Sequence, residues 1–337
     1  GHLLPETWGS LYVQQGRILF PSARFHHAWH HLSHVAGAFH TSPFERAAFL
    51  CVDGKGEDYS ASAGVIDHGE VKLLWEQPWE NGLGMFYTLI TYYLGFLSFG
   101  SEYKVMGLAP YGTPRFVPEL SRLFTTDERG AFRLHREVRF TWSSLMAALP
   151  WIAETLQRPL RSKSDPLERV HLYLAASLQQ IFEDEVFKMA RFLRAETGED
   201  NVLFCGGCAQ NCVAAGKLRS QKIFSTVFNS PVGGDMGSGL GAALLFERER
   251  LGGARLKPEA RGFYLGGDPG PAPAAALPYR VPLPVGGDLH AFVARQLADG
   301  KIVAVVRGGM ELGARALGAR SIFADPRAPG MQSRLNL

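Results

Sequence analysis

Two successive strand–turn–helix units constrain this chain more than any other feature. Asn201-Val202-Leu203-Phe204-Cys205 is a short apolar run that stops at Gly206-Gly207, with a helix from about Ala209. Ile223 to Phe228 is a second such run. It stops at Pro231-Val232-Gly233-Gly234-Asp235 and passes into a helix rich in small residues, Gly237 to Leu251. Short apolar runs closed by glycine read as buried strands. A strand followed by a helix returns to its sheet in parallel with a neighbour, because parallel pairing needs a crossover of that length. The spacing therefore predicts an α/β fold with parallel pairing.

The rest of the chain fits around these units. Gly1 to Arg24 shows no periodic element. The run from Ala47 to Val52 predicts a buried strand, and Asp67-His68-Gly69-Glu70 predicts a hairpin turn between Ser62–Ile66 and Val71–Trp75. Gly84 to Phe96 predicts an apolar helix, and Ser101 to Gly112 reads as a loop. Asp165-Pro166-Leu167-Glu168 reads as the start of a helix running to about Thr197. A Pro/Gly/Ala-rich stretch, residues 253–284, predicts a linker between a first domain (1–252) and the start of a second (285–337). That second domain opens with a helix from Asp288 to Ala298 and a strand from Lys301 to Val306.

Composition narrows the function classes. With 337 residues, 46% of them hydrophobic, the chain can bury two cores. A net charge of +3 without a dense Lys/Arg block does not indicate a nucleic-acid partner. No uncharged apolar run is long enough to span a bilayer. The four cysteines, Cys51, Cys205, Cys208 and Cys212, form no disulfide framework, so a reducing, cytoplasmic location is expected. Cys205-x₂-Cys208-x₃-Cys212 lacks a second ligand pair at zinc spacing and reads as buried thiols.

Five of the eleven histidines lie between Phe25 and Phe39. A four-residue separation puts His30 and His34 on one face of a helix, where two imidazoles can reach one ion. The strand from Ala47 ends on Asp53, within Asp53-Gly54-Lys55-Gly56-Glu57. Two imidazoles and a strand-end carboxylate make a nitrogen/oxygen metal site plausible, with a surface pair or packed polar contact as the plain alternative. Asp235, at the mouth of the last helix of the first domain, reads on its own as that helix's cap, with a fourth ligand as the alternative. Gly206 and Gly207 let backbone amides approach a phosphate or ribose, and Asn211 can bond a nucleotide, though a tight structural turn fits equally. Lys104, before glycines, reads as a phosphate contact or a solvated lysine. Arg307 to Ser321 sets several guanidinium groups among glycines, which favours anion binding.

Four segments in register resemble the O-carbamoyltransferases of antibiotic tailoring and nodulation-factor synthesis. They are the His30-x₃-His34 to Glu57 segment, Glu102-Tyr103-Lys104-Val105-Met106-Gly107-Leu108-Ala109-Pro110-Tyr111-Gly112, Gly206 to Ala214, and Arg315 to Arg327. The resemblance implies an actin/hexokinase-like (ASKHA) ATPase-type domain followed by a threonylcarbamoyl-adenylate-synthase-like α/β domain. It implies that carbamoyl phosphate and ATP form carbamoyl-adenylate, whose carbamoyl group passes to a hydroxyl of a small-molecule natural product. The family's metal ligands fall on His30, His34, Asp53 and Asp235, with Fe(II) as the usual occupant and Mg²⁺ a further divalent candidate. Gly206, Gly207, Asn211 and Lys104 would hold the nucleotide, and Arg315 and Arg320 carbamoyl phosphate.

The chain departs from that family at three places. No His-Asp-Ser/Ala motif precedes His26, so the acid–base residues are expected in a segment lying before this sequence. The second domain is expected to continue past Leu337. Gly309 and Ala319 stand where Arg and Asn are usual. A tRNA threonylcarbamoyl transferase-like enzyme and a non-catalytic ATP- or metal-binding module are the competing readings. The acceptor and the oligomeric state are not legible.

Overall fold

In the computed structural model residues 9–79, 82–139, 141–251, 262–271 and 288–335 are described, and they fall into two units, Gly1–Pro258 and Glu259–Leu337. Among the described residues the larger unit starts with helix α1 (Gly9–Leu19), where the sequence showed no periodic element; residues 1–8 of that stretch lie outside the described residues. Ile18 and Leu19 remain 78% and 72% exposed, so the described side chains of this helix form no buried stripe. Helix α2 (His30–Thr41) leads into β1 (Arg46–Val52), β2 (Tyr59–Asp67) and β3 (Glu70–Pro78). The β2–β3 turn falls on His68 and Gly69, both at positive φ (48° and 88°), as a two-residue hairpin turn requires.

Next come α3 (Leu83–Tyr93), α4 (Glu102–Leu108), α5 (Val117–Leu120), the small hairpin β4 (Phe124–Thr126) and β5 (Phe132–Leu134), and α6 (Trp142–Leu156). The segment read as a loop from Ser101 is thus α4 followed by a 3₁₀ turn, Ala109–Tyr111. Only Val105 of α4 is buried, which leaves no apolar periodicity to read. The long helix α7 (Arg169–Thr197) starts later than the Asp-Pro signal implied. Glu168 caps it and forms a capping box with His171, while Asp165 accepts the Ser162 N–H in the turn before. Then follow β6 (Asn201–Cys205), α8 (Cys212–Ser220), β7 (Thr226–Asn229) and α9 (Ser238–Leu251).

The five large strands form one sheet, ordered β3-β2-β1-β6-β7. β1 pairs antiparallel with β2 and parallel with β6, and β6 runs parallel with β7. Strand alternation sorts the side chains onto two faces. Ala47, Phe49 and Cys51 join Leu203 and Cys205 under Val35, Ala38 and Phe39 of α2. Ala48, Leu50 and Val52 face the other way, into the core shared with α3, α6 and α7. Each fully buried Phe or Leu contributes roughly 1.5–3 kcal/mol. β1 is therefore the rigid central element, and its C-terminal end is a well-anchored place for a functional residue.

Helix α9 packs on α2 where glycines face each other. A Cβ on Gly241 would collide with the Ser33 carbonyl oxygen, and one on Gly37 would lie 3.7 Å from Gly241 Cα. This close approach brings the start of α9 beside the start of α2.

In the smaller unit Asp288 caps α10 (Leu289–Ala298) by accepting the His290 N–H. Strands β8 (Val303–Val306) and β9 (Arg320–Phe323) pair antiparallel, and α11 (Met331–Leu335) follows. Of the predicted linker, 253–261 and 272–284 lie outside the described residues. Among the described residues no helix is long and apolar enough to cross a membrane.

Candidate metal centre

Four side chains meet at the C-terminal end of β1. His30 and His34 project from the first two turns of α2, Asp53 follows β1 directly, and Asp235 begins the 3₁₀ turn ahead of α9. One ligand atom from each lies within 4.8 Å of the others. The Nε2 atoms of His30 and His34 are 2.9 Å apart, and they lie 3.1 and 2.9 Å from Asp53 Oδ2. Asp235 Oδ1 is 3.3 and 3.4 Å from the same two nitrogens.

Hydrogen bonds to the two carboxylates account for part of this arrangement but not for the 2.9 Å approach of the two Nε2 atoms. An imidazole Nε2 carries at most one proton, yet His34 Nε2 has three N/O atoms within 3.4 Å. The two nitrogens facing each other need a shared proton or a shared cation. The donor set, two imidazole nitrogens and two carboxylate oxygens, fits a divalent ion with open positions. The Nδ1 of His34 has no partner among the described residues, so only this cluster determines the histidine's tautomer.

Local structure presents each ligand. Gly54 N–H donates to Asp53 Oδ1 at 2.7 Å, fixing one carboxylate oxygen and turning the other towards the histidines. A Cβ on Gly207 would sit 2.8 Å from Asp53 Oδ1, so the turn after β6 is glycine where it closes over the ligand. Gly206 has φ +89° and donates its N–H to Gly233 O, tying that turn to the one carrying Asp235. The Asp235 carboxylate therefore faces the two histidines, and α9 begins three residues later at Ser238.

Charge follows the geometry. Burial disfavours protonating His30 and His34, but Asp235 and Asp53 outweigh it and raise them to about 10 and about 9. Burial also works against ionising Asp53, yet the two histidines hold it far below the carboxylate range. His30 and His34 do the same for Asp235. Burial pushes neighbouring His31 down to about 4; its Nδ1 lies 2.6 Å from Ser62 Oγ on β2.

The other sequence-derived candidates divide. Gly206 and Gly207 lie at the centre. Asn211 caps α8 by accepting the Ala214 N–H, and its amide pairs with Gln179 of α7 in both directions. Gln179 also accepts the Tyr87 hydroxyl and donates to Glu183, whose carboxylate is buried against Lys217. A cavity of about 320 Å³ beside this network is lined by Met106, Pro110, Gly112, Gln179, Glu183 and Lys217. Lys104 is exposed on α4, its Nζ 5.7 Å from the Phe96 ring centre. Arg315 and Arg320 belong to the smaller unit. The Arg320 guanidinium is engaged by the backbone carbonyls of Arg307, Ala319, Gly267 and Gly308. Cys51 and Cys205 are buried free thiols as read, whereas Cys212 is exposed.

Sequence reasoning missed Glu57, His31, Ser62, Gln179 and Glu183. The segment Asp53-Gly54-Lys55-Gly56-Glu57 could have pointed to Glu57, since a second acid there returns to the same helix. Nothing local marked Gln179 or Glu183, which lie within an amphipathic helix.

Comparison with known proteins shows which sequences the chain is similar to. Residues 9–244 match the family model described as carbamoyltransferase N-terminus, and residues 294–337 match the carbamoyltransferase C-terminus. The uncharacterized protein sll1178 of Synechocystis is 38% identical, covering 91% of this chain and 52% of that protein. Nodulation protein NolNO of Sinorhizobium fredii is 35% identical, over 99% of this chain and 47% of that protein. The 3'-hydroxymethylcephem-O-carbamoyltransferase of Streptomyces clavuligerus is 34% identical over 48% of this chain and 30% of its own length. The chain thus spans about half the length of the first two of these relatives. Among solved structures, HypF in a phosphate- and nucleotide-bound form aligns at 15% identity and TM-score 0.38, over 71% of this chain and 38% of that one.

Proposed function

The chain belongs to the carbamoyltransferase family, and on that premise we propose that its parent protein is a cytoplasmic, ATP-dependent O-carbamoyltransferase. In the smaller domain water cleaves carbamoyl phosphate to carbamate and inorganic phosphate, and a carbamate oxygen then bonds to the α-phosphorus of ATP as pyrophosphate leaves, giving carbamoyl-adenylate. The larger, actin/hexokinase-like domain passes the carbamoyl group to a hydroxyl of a small-molecule natural product. Support for the ASKHA assignment is the order β3-β2-β1-β6-β7, in which β2 alone runs against the rest.

The observation that carries the reading is the convergence of His30, His34, Asp53 and Asp235 where β1 ends. Fe(II) is the proposed occupant, with Mg²⁺ a second candidate beside nucleotide phosphates. When bound, the cation supplies Lewis-acid polarisation of a carbonyl and a hold on phosphate oxygens. The chain's own residues orient and anchor. His30, His34, Asp53 and Asp235 fix the position of positive charge, and Gly206 and Gly207 allow close backbone approach. Asn211, held by Gln179 and capping α8, marks the nucleotide side, with Lys104 on the neighbouring helix a further phosphate contact. Arg315 is the proposed carbamoyl-phosphate contact, while Arg320 shapes the loop that presents it. In the transfer step the acceptor oxygen bonds to the carbamoyl carbon, the bond to the adenylate phosphate breaks, and AMP leaves. The hydroxyl proton is released alongside AMP.

The test is to incubate the full-length protein with ATP, carbamoyl phosphate and a panel of hydroxyl acceptors, reading product by mass spectrometry. A product 43 mass units heavier (about the mass of one carbamoyl replacing one hydrogen) that requires both co-substrates supports the reading. ATP binding without carbamoylated product on any acceptor points to a non-catalytic module, and product only on tRNA to the threonylcarbamoyl branch.

A further inference from the structure

The first residue of α2 is held from two sides by a single loop. Trp29, at the N-cap position, makes no side-chain capping bond, and the first turn holds no acidic residue. Glu57 reaches back instead. The backbone N–H of His30 lies 3.0 Å from both Oε1 and Oε2 of Glu57. Asp53, four residues earlier on the same loop, faces the other end of His30 at Nε2, 3.1 Å away. The loop Asp53-Gly54-Lys55-Gly56-Glu57 thus grips His30 at main chain and imidazole together.

From this grip, and resting on the metal reading above, we infer that Glu57 is a positioning residue for the metal centre, acting through the main chain of His30. A helix N-terminus presents N–H groups without intrahelical partners and partial positive charge, and a carboxylate there satisfies both. Here the satisfied N–H belongs to a ligand. With Glu57 in place, the first turn of α2 sets the His30 imidazole 2.9 Å from that of His34. Without it the end of the helix is free to fray, and His30, the more exposed of the two at 26% against 0%, loses its fixed approach. His34, one turn further in and fully buried, keeps its place.

The rest of α2 is secured independently. His31 Nδ1 meets Ser62 Oγ at 2.6 Å, and α9 packs along the helix at Gly37. Removing Glu57 therefore loosens one ligand and leaves the fold standing. His27 Nε2 lies 3.5 Å from Glu57 Oε1 and stays outside the donor set.

The experiment measures Co(II) affinity of the full chain by competition with a chromogenic chelator, together with the Co(II) visible spectrum and thermal melting without metal. Glu57→Ala should weaken Co(II) roughly 10–100-fold, the range seen when partners of metal ligands are removed. It should alter the visible spectrum while the melting curve stays near the parent's. Glu57→Gln keeps an acceptor for the His30 N–H and should recover most of the affinity. Parent-like affinity in Glu57→Ala overturns the inference. So does a Glu57→Gln variant as weak as Glu57→Ala, because charge rather than position would then be the cause. The metal reading itself is judged separately by His30→Ala/His34→Ala: if that variant binds Co(II) like the parent, the metal reading fails, whatever Glu57 does.

Discussion

In the larger unit His30, His34, Asp53 and Asp235 aim their ligand atoms at one point and at one another. In the smaller unit Glu311 and Arg320 turn theirs onto their own backbone. Glu311 Oε1 accepts the N–H groups of Leu317, Ala319 and Arg320, and Arg320 donates to four carbonyls. Both segments look alike as sequence, since each sets charged residues among glycines. What separates them is internal satisfaction. The first leaves four ligand atoms facing one another, a donor set that could hold a divalent cation. The second is an oxyanion cradle and a guanidinium fork already occupied by the chain, so its glycines first build a loop.

The largest effect that would break this contrast is on metal content. His30→Ala/His34→Ala should bind no divalent ion under anaerobic conditions in which the parent binds one equivalent, read by elemental analysis. Fold should be retained, because the β1 core of Phe49, Leu50 and Cys51 is untouched. Retention of the equivalent in the variant would remove the basis for separating the two regions.

A second substitution tests whether the donors meet because helices meet. Gly241→Ala places a methyl group against the Ser33 carbonyl, where α2 and α9 are closest. Overpacking of this kind costs about 1–3 kcal/mol, and here it also moves Asp235 away from the histidines. We expect a lower urea midpoint together with weaker Co(II) binding. A lower midpoint with undiminished metal binding would mean that the turn carrying Asp235 is set independently of α9.

How far these regions were legible in sequence follows the same division. Strand β6 stands on the residues predicted for it, and β1 and the β2–β3 turn fall within a residue or two, since buried strands and glycine turns write themselves into local pattern. His30-x₃-His34 pointed to the two-imidazole face for the same reason. The convergence of Asp235 with them did not follow from spacing, because it depends on contact between α2 and α9, some two hundred residues apart. The resemblance supplied that ligand, and the glycines that permit it are visible only in three dimensions. Helix α4 escaped because it buries only Val105, α1 because its described side chains form no buried stripe, and the carbonyl partners of Arg320 because a fork of donors looks the same facing solvent or carbonyls.

The smaller unit offers milder tests. Arg320→Lys replaces a planar fork with one ammonium, which cannot span four carbonyls. Backbone amides of β8, β9 and residues 308–320 should exchange roughly fivefold faster, as for about 1 kcal/mol of lost hydrogen bonding. Metal content should not change. Unaltered exchange would show that the loop is held by its turns, and would reopen Arg320 as a group available to anions.

The smallest effect is a pH dependence. Backbone N–H donation, led by that of Arg320, holds Glu311 down at about 2, from an ordinary value of 4.5. A carboxylate whose folded pKa is depressed binds fewer protons in the native state, so its contribution to stability is in place above the ordinary value and fades as pH falls through about 2. Solvent exposure keeps that contribution small. The direct readout is the amide shifts of Leu317, Ala319 and Arg320, followed by NMR from pH 6 downwards. They should stay flat through 4.5, where an unperturbed glutamate is half-protonated. Glu311→Gln should remove their response to acid altogether. A titration centred near 4.5 would mean that the cradle is loosely filled and open to an outside anion, so the two regions would differ in degree rather than in kind.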